Sequence, residues 1–490
     1  MEKTATTKKN LILFPLGTVG RDMMYSLFTN FLLTYVLFTR SLTAAQLSAI
    51  TAIMVAARVF DALNDPIMGN IIERTRSKWG KFKPWLLVGI LSTSVVIYVV
   101  FNSKLQGWSF IWLFGICYFA YSITYTMHDI SYWGMIPALS SEADTRNQFT
   151  SRATLFAGMG GTLASIMIPM LTTGSMTIGG NAQTAYGIIA LVIAILGPLF
   201  LFFTIFGVRE NREENSKPAP KVSFKKILGT ITGNDQLVWI AVIFLLQQIG
   251  NGIVLGGVGS TYIYFEYGYN GSMYSLFTTV GMSATAFLMI FYPMISRRLT
   301  RKKMMDIMMI LSTVGYALML ISGLLLPSGS GVKFPVLVIG YMLANFGQYG
   351  FYLIMMISIL NTVEYNEYKT GNRDEAIIAS LRPFLTKLAS ALTVVITTVT
   401  YLAFGVTNFT NQISDYENQA AMGSITEAEK LSSITQALTG VTSGEKLGLV
   451  LAMTILPFVM MFLSYLMYKK HYKLDEAEYD RICAEIEARK

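Results

Sequence analysis

Arg58, Asp61, Asn64 and Asp65 stand close together on one helix, inside an apolar stretch long enough to cross a bilayer. A single Asp at the centre of a membrane helix costs about 2.5 to 3.5 kcal/mol on insertion scales, so a pair of them must face protein, water or a cation. Residues i and i+4 share a helix face, so Asp61 and Asp65 aim at one point and Asn64 adds a neutral oxygen beside them. Hard monovalent cations favour oxygen ligands, and carboxylates also take protons. The cluster therefore reads as a coupling-ion site, with Asp61 and Asp65 as the metal ligands if the ion is sodium.

A second set of polar residues lies where apolar ones would cost less. Arg21 and Asp22 interrupt a helix rich in Phe, Leu and Tyr; Tyr125, Thr126, His128, Asp129 and Trp133 cluster in another; Arg152 opens a third and Lys387 lies inside a fourth. Tyr125, Asp129 and Trp133 step by four along one face, and Thr126 precedes Asp129 by three. One helix can thus serve two ligands: Thr126 offers a hydroxyl to the cation, Asp129 accepts hydrogen bonds from sugar hydroxyls, and Trp133 presents a flat apolar surface to a pyranose ring. His128 reads as packing rather than as a proton relay, because its helical direction differs from that of Asp129.

The elements that must position these groups are membrane spans. With 53% hydrophobic and only 14% charged residues over 490 positions, and a mean hydropathy of +0.49, the chain is an integral membrane protein of the all-α class. Twelve spans are predicted, near 11–39, 45–71, 84–102, 108–138, 152–174, 184–207, 236–265, 273–295, 303–326, 333–363, 377–405 and 447–468. A net charge of +9 would suit a nucleic-acid binder in a soluble protein, but here Lys and Arg are sorted by loop, and no nucleic-acid partner is expected. They follow span two (Arg74 to Lys83), span six (Arg209, Arg212, Lys217, Lys221, Lys225, Lys226) and span eight (Arg297 to Lys303), which places those loops and both termini in the cytoplasm of a cell-membrane protein. The first apolar segment is too long for a signal peptide and is expected to stay as span one.

Residues 209–235 form a polar linker, dividing the chain into a bundle over 1–208 and a second over 236–468, with a cytoplasmic tail at 469–490. Six spans in each half, both with a basic loop after the second, suggest duplication, with substrate at the interface of the halves near the midplane. The segment 405–446 is long and polar, and is expected outside the cell. The tail, with Leu474, Ile482 and Ile486 at helical spacing among charges, reads as a solvated or membrane-skimming amphipathic helix rather than a docked one. Cys117 and Cys483 suggest neither a disulfide framework nor a metal site, and no nucleophile and base pair marks an enzyme.

The run from Ala57 to Pro66, continuing through Gly69, Thr75, Arg76, Ser77 and Trp79 to Trp85, resembles the signature of the glycoside-pentoside-hexuronide:cation symporters, which have the major facilitator fold: twelve transmembrane helices in two six-helix bundles. Thr124 to Trp133 is similar to a second motif of that family; Arg21, Asp22, Arg152, Lys387 and the run Thr362 to Tyr365 fall at matching places. The resemblance implies that Asp61, Asp65 and Thr126 bind the coupling cation and that Asn64 influences which cation is used. It assigns Asp22, Tyr125, Asp129, Trp133 and Arg152 to the sugar, and puts Lys387 between the two sites. Tyr352 stands where the melibiose branch has Trp, and Leu381 to Phe384 looks more like the lactose and xyloside branch. The regulatory domain of some lactose-branch members is expected to be absent, since the chain ends soon after span twelve.

Bland alternatives exist for each residue: an ion pair of Arg58 or Lys387 with the carboxylates, Asp22 paired with Arg21, Tyr125 and Trp133 as core aromatics, Arg152 as an edge charge. The expected function is symport of a glycoside, a galactoside or related oligosaccharide, with co-transported Na+ or H+, by alternating access in a monomer without a cofactor. The runners-up are a cation-coupled lysolipid transporter of the same fold and a non-transporting membrane sensor.

Overall fold

In hydrocarbon a segment must satisfy its own backbone hydrogen bonds, so apolar runs of this length fold as helices. The structure, a computed structural model, describes residues 2–140, 142–209, 224–296 and 298–489, and no strand occurs among them. The helices are α1 (Glu2–Thr39), α2 (Ala44–Arg74), α3 (Lys83–Asn102), α4 (Gly107–Leu139), α5 (Ala143–Thr172), α6 (Ala182–Gly207), α7 (Phe224–Gly233), α8 (Asp235–Gly252), α9 (Gly259–Tyr267), α10 (Gly271–Ser296), α11 (Arg301–Leu325), α12 (Lys333–Thr370), α13 (Glu375–Ala403), α14 (Val406–Ala421), α15 (Glu427–Thr439), α16 (Ser443–His471) and α17 (Glu476–Arg489). Ten segments among the described residues are long and apolar enough to cross a membrane, α8 and α9 counting as one. α1 and α10 hold the first and eighth places of the expected twelve.

Side-chain caps set many helix starts. Thr43 and Gln46 form a capping box on α2, Thr426 and Glu429 on α15, and Thr442 and Glu445 on α16; Asn181, Asn234 and Thr300 accept from the first turns of α6, α8 and α11. α8 passes into α9 through a π-turn in which Gly257 takes φ +112°, a conformation open to glycine at little cost. The expected linker is partly helical, since α7 lies within it, while Asn211 to Pro220, with Arg212, Lys217 and Lys221, and also Arg297, fall outside the described residues.

The described chain divides into two compact units. The first comprises 1–220, 268–275 and 405–440. Here α1 packs against α5 and α6 at close range: a Cβ on Gly20 would stand 2.5 Å from the Leu196 carbonyl oxygen, so only glycine lets these backbones approach. The polar segment expected outside the cell contains the α14–α15 hairpin, which docks on this unit. Glu417 and Lys430, both fully buried, pair at 3.3 Å; Glu417 also accepts from the Ala182 amide at 2.6 Å, and Lys430 donates to the Gly180 carbonyl at 2.7 Å. Burial pushes the Glu417 carboxyl above its usual range even with Lys430 beside it. Lys430→Met is therefore expected to cost the hairpin about 3 to 5 kcal/mol at neutral pH by leaving a lone buried carboxylate. A carboxyl with a raised folded pKa stabilises below its unfolded value and loses that contribution as pH rises through the folded one. Acidification should then restore part of the loss, read as hydrogen exchange over 406–439 corrected for intrinsic rate.

The second unit comprises 221–267, 276–404 and 441–490. Its apolar core, built from α8, α11, α12, α13 and α16, also contains Leu474, Ile482 and Ile486. The tail is thus docked, not skimming or solvated. Its apolar stripe enters the core while its charges find partners: Glu476 pairs with Arg301 at 3.1 Å, Asp475 with Lys302 at 2.9 Å, and the Arg489 guanidinium lies 4.6 Å from the Tyr368 ring centre. The Lys302 ammonium, by its hydrogen bond, holds the Asp475 carboxyl below the ordinary range. Two of the basic residues read from sequence as topology markers are therefore also the tail's anchors.

Candidate functional site

In the first unit, α4 carries two polar groups on adjoining faces. Toward α1, the Arg21 guanidinium, only 2% exposed, bridges two carboxylates, donating from Nη1 to Asp129 Oδ1 at 2.7 Å and from Nη2 to Asp22 Oδ2 at 3.1 Å. It lies 4.7 Å from the Tyr132 ring centre and 5.2 Å from that of Trp133. Tyr132 is itself fixed by stacking on Phe14 at 4.3 Å and by donating to the Phe14 carbonyl at 2.6 Å. Asp22 and Asp129 keep 21% and 36% of their side-chain surface. With one positive and two negative charges, this group has a net charge of −1, and a carboxylate oxygen can accept more than one proton.

Toward α2, the second group also sets one arginine among two carboxylates, but with different contacts. Ser122 donates to Asp61 Oδ1, Arg58 pairs with Asp61 Oδ2 at 3.5 Å, Thr126 donates to Asp65 Oδ1 at 3.0 Å, and the Asn64 amide lies 3.5 Å from the Ser122 carbonyl. Asp61 and Asn64 are buried at 4% and 8% exposure, and Asp65 is half-buried. Arg58, Asp61 and Asp65 also total −1, the charge that one monovalent cation or proton neutralises. Among the described residues no group of three or more His, Cys, Asp or Glu forms a metal cage, so this position offers two carboxylates and neutral oxygens only.

The two groups are joined by aromatic packing. Tyr125 stacks on Tyr121 at 5.3 Å, lies 5.5 Å from Tyr25, and meets the edge of His128 at 4.6 Å. His128 is fully buried against Gly89 of α3, as packing was expected to place it, yet neither ring nitrogen has a hydrogen-bond partner among the described residues.

The structure brings together Asp22, Asp129 and Trp133, and separately Asp61, Asn64, Asp65 and Thr126, with Tyr125 between them. It does not bring Arg152 to either group. That side chain is exposed and donates to the Leu11 carbonyl at 3.2 Å, eleven residues and about three turns from Asp22 along α1. In the second unit, Tyr352 accepts from Arg382 at 3.0 Å and packs near Tyr349 and Phe244, while Lys387 is half-buried on α13. Sequence reasoning gave no site role to Ser122 or Arg382, and named Arg21 as an out-of-place polar group and a pairing partner for Asp22 without its bridge to Asp129. Ser122 lies four residues before Thr126, a spacing that would have put it on the same face.

The first unit thus combines a helical membrane fold with buried charge on facing spans. The chain belongs to the MFS/sugar transport protein family, whose profile matches residues 13–476, and within it to the glycoside-pentoside-hexuronide:cation symporters. It is 28% identical to a lactose permease of Leuconostoc lactis over 403 residues, covering 78% of this chain and 60% of that one. To a raffinose carrier protein of Pediococcus pentosaceus it is 23% identical over 490 residues, covering 97% and 71%. The chain thus spans only about 60% of the length of the lactose permeases it matches. Among solved structures, an inward-facing bacterial homologue of the lysosomal transporter Spinster superposes with a TM-score of 0.62 at 12% identity, covering 96% of this chain and 98% of that one, which establishes the major facilitator fold.

Proposed function

We propose that this protein is a secondary active symporter that takes up a glycoside together with one monovalent cation, Na+ or H+, by alternating access. The observation that carries the reading is that α4 presents Thr126 to the Asp61–Asp65 group and, three residues on, Asp129 to the Arg21–Asp22 group. Each group has a charge of −1 and carboxylate oxygens as acceptors. Cation binding relieves repulsion between Asp61 and Asp65 and firms α2 against α4. That steadies Asp129 and Trp133 on the same helix for a sugar, whose hydroxyls donate to Asp22 and Asp129 while its C–H face covers Trp133. Lactose permease and raffinose carrier relatives support an oligosaccharide cargo. The basic loops support cytoplasmic termini. We take 1–208 and 236–468 as the two transport bundles, 209–235 as their linker and 469–490 as the tail, in a monomer in the cell membrane.

One positive charge moving through 100 mV is worth about 2.3 kcal/mol, enough for roughly a fifty-fold sugar gradient. The test is uptake into proteoliposomes over a panel of galactosides, xylosides and glucuronides, with sodium and pH varied separately. At least one glycoside should concentrate only under an inward cation gradient. Accumulation of none, or displacement of a labelled lysolipid with no effect of any sugar, would sink the reading.

A further inference from the structure

The first unit holds a cavity of about 880 Å³ that none of the groups above enters. It lies where α3 ends, α4 and α6 begin and α14 docks, at the opposite end of these helices from the basic loop Arg74 to Lys83. Its two sides differ in chemistry. One side is polar, with Lys104, Gln106, Gln183, Asp415 and Asn418; the other is apolar, with Tyr98, Ile188 and Leu191. These three are 45%, 39% and 45% exposed, and they continue as exposed stripes, Leu91 and Val95 on α3, Ile195 and Leu199 on α6, along spans whose only solvent is lipid. Exposed Trp108 and Trp112 stand at the start of α4 beside the cavity, as aromatic residues do at headgroup depth. Lys104 is exposed, and Asp415 is oriented by a 2.7 Å hydrogen bond from Ser41. The wall that carries Asp415 is fixed by Asn411, which bonds both backbone groups of Leu42 at 2.9 Å.

We propose that this cavity binds a glycerophospholipid with a zwitterionic headgroup: Lys104 takes the phosphate, Asp415 takes the ammonium, and an acyl chain runs along the exposed stripes of α3 and α6. Opposite charges at one end and a lipid-facing apolar wall at the other match such an amphiphile better than a sugar, which would leave the apolar wall uncovered. The α14–α15 hairpin then has a definite task, closing a lipid site on the leaflet opposite the basic loops. The proposal does not depend on the sugar chemistry of α4.

Native mass spectrometry of the purified full chain, titrated with dioleoyl phosphatidylethanolamine, tests it. One saturable adduct is expected. Lys104→Ala with Asp415→Asn should weaken it by about tenfold or more, the scale of a charge-assisted hydrogen bond, and Leu191→Trp, which fills the apolar side, should do the same. Dioleoylglycerol, lacking both charges, should not compete, and free glycerophosphoethanolamine should compete only weakly. Equal lipid binding by wild type and both variants would overturn the proposal, as would displacement by raffinose or full competition by the free headgroup. Should the double variant misfold, maleimide labelling of Asn418→Cys decides: protection by the lipid supports the site, and unchanged labelling refutes it.

Discussion

Arg21→Ala is expected to abolish saturable sugar binding, with a loss of at least about a hundredfold in affinity, since charge-assisted hydrogen bonds contribute about 1.5 to 3 kcal/mol each and this guanidinium makes several. Arg21 is nearly inaccessible, so its part is to hold Asp22 and Asp129, which stay partly exposed, on one site. Without it, two carboxylates remain with no cation between them. They repel each other, and protonation or separation destroys the acceptor geometry. Arg21→Lys keeps the charge but has no planar fork to serve two carboxylates, so it should recover only a small part of the affinity. Breaking a buried ion network also costs about 3 to 5 kcal/mol of stability, so binding is to be measured on purified protein whose melting has been checked. Sugar binding by folded Arg21→Ala at wild-type affinity would remove Arg21, and with it the Asp22–Asp129 group, from the sugar site.

The parts of this arrangement that were legible in the sequence are those governed by periodicity. Spacing by three and four on a single helix put Tyr125, Asp129 and Trp133 on one face and Asp61 beside Asp65, and hydropathy set the order of the spans, because both are local properties of a helix. What joins different helices was not legible. Nothing in the spacing of Arg21 and Asp129 shows that one side chain bridges to the other across 108 positions, nor that Ser122 donates to Asp61. Arg152 was expected with the sugar group because the family resemblance placed it there, but its side chain donates to the Leu11 carbonyl, a contact set by how α5 packs on α1. The tail was misjudged for a related reason. A stripe of Leu474, Ile482 and Ile486 can cover lipid or protein equally well, and the choice was made by Arg301, Lys302 and Tyr368, which lie far away in the chain.

The second large effect is expected at Asp65. Asp65→Asn should remove uphill, cation-driven accumulation, from a ratio of roughly fifty at 100 mV to about one, while sugar exchange across the membrane persists. The charges explain the split. Arg58, Asp61 and Asp65 together carry −1, and the substitution brings that total to zero, leaving nothing for a cation to neutralise. Thr126 still meets an oxygen or amide at position 65, so α2 and α4 stay joined and Asp129 keeps its place on α4. The Asp22–Asp129 group, with its own Arg21, does not lose its counter-charge. Asp61→Asn should behave differently. Asp61 is the more buried of the two and is paired with Arg58 and Ser122, so neutralising it leaves a buried guanidinium without its carboxylate and should cost stability as well as coupling. Sodium- and proton-gradient uptake compared with equilibrium exchange, for both variants in proteoliposomes, separates the two roles. If Asp65→Asn still concentrates sugar under either gradient, the cation does not act at this pair, because no other change in the cluster's charge accompanies the substitution.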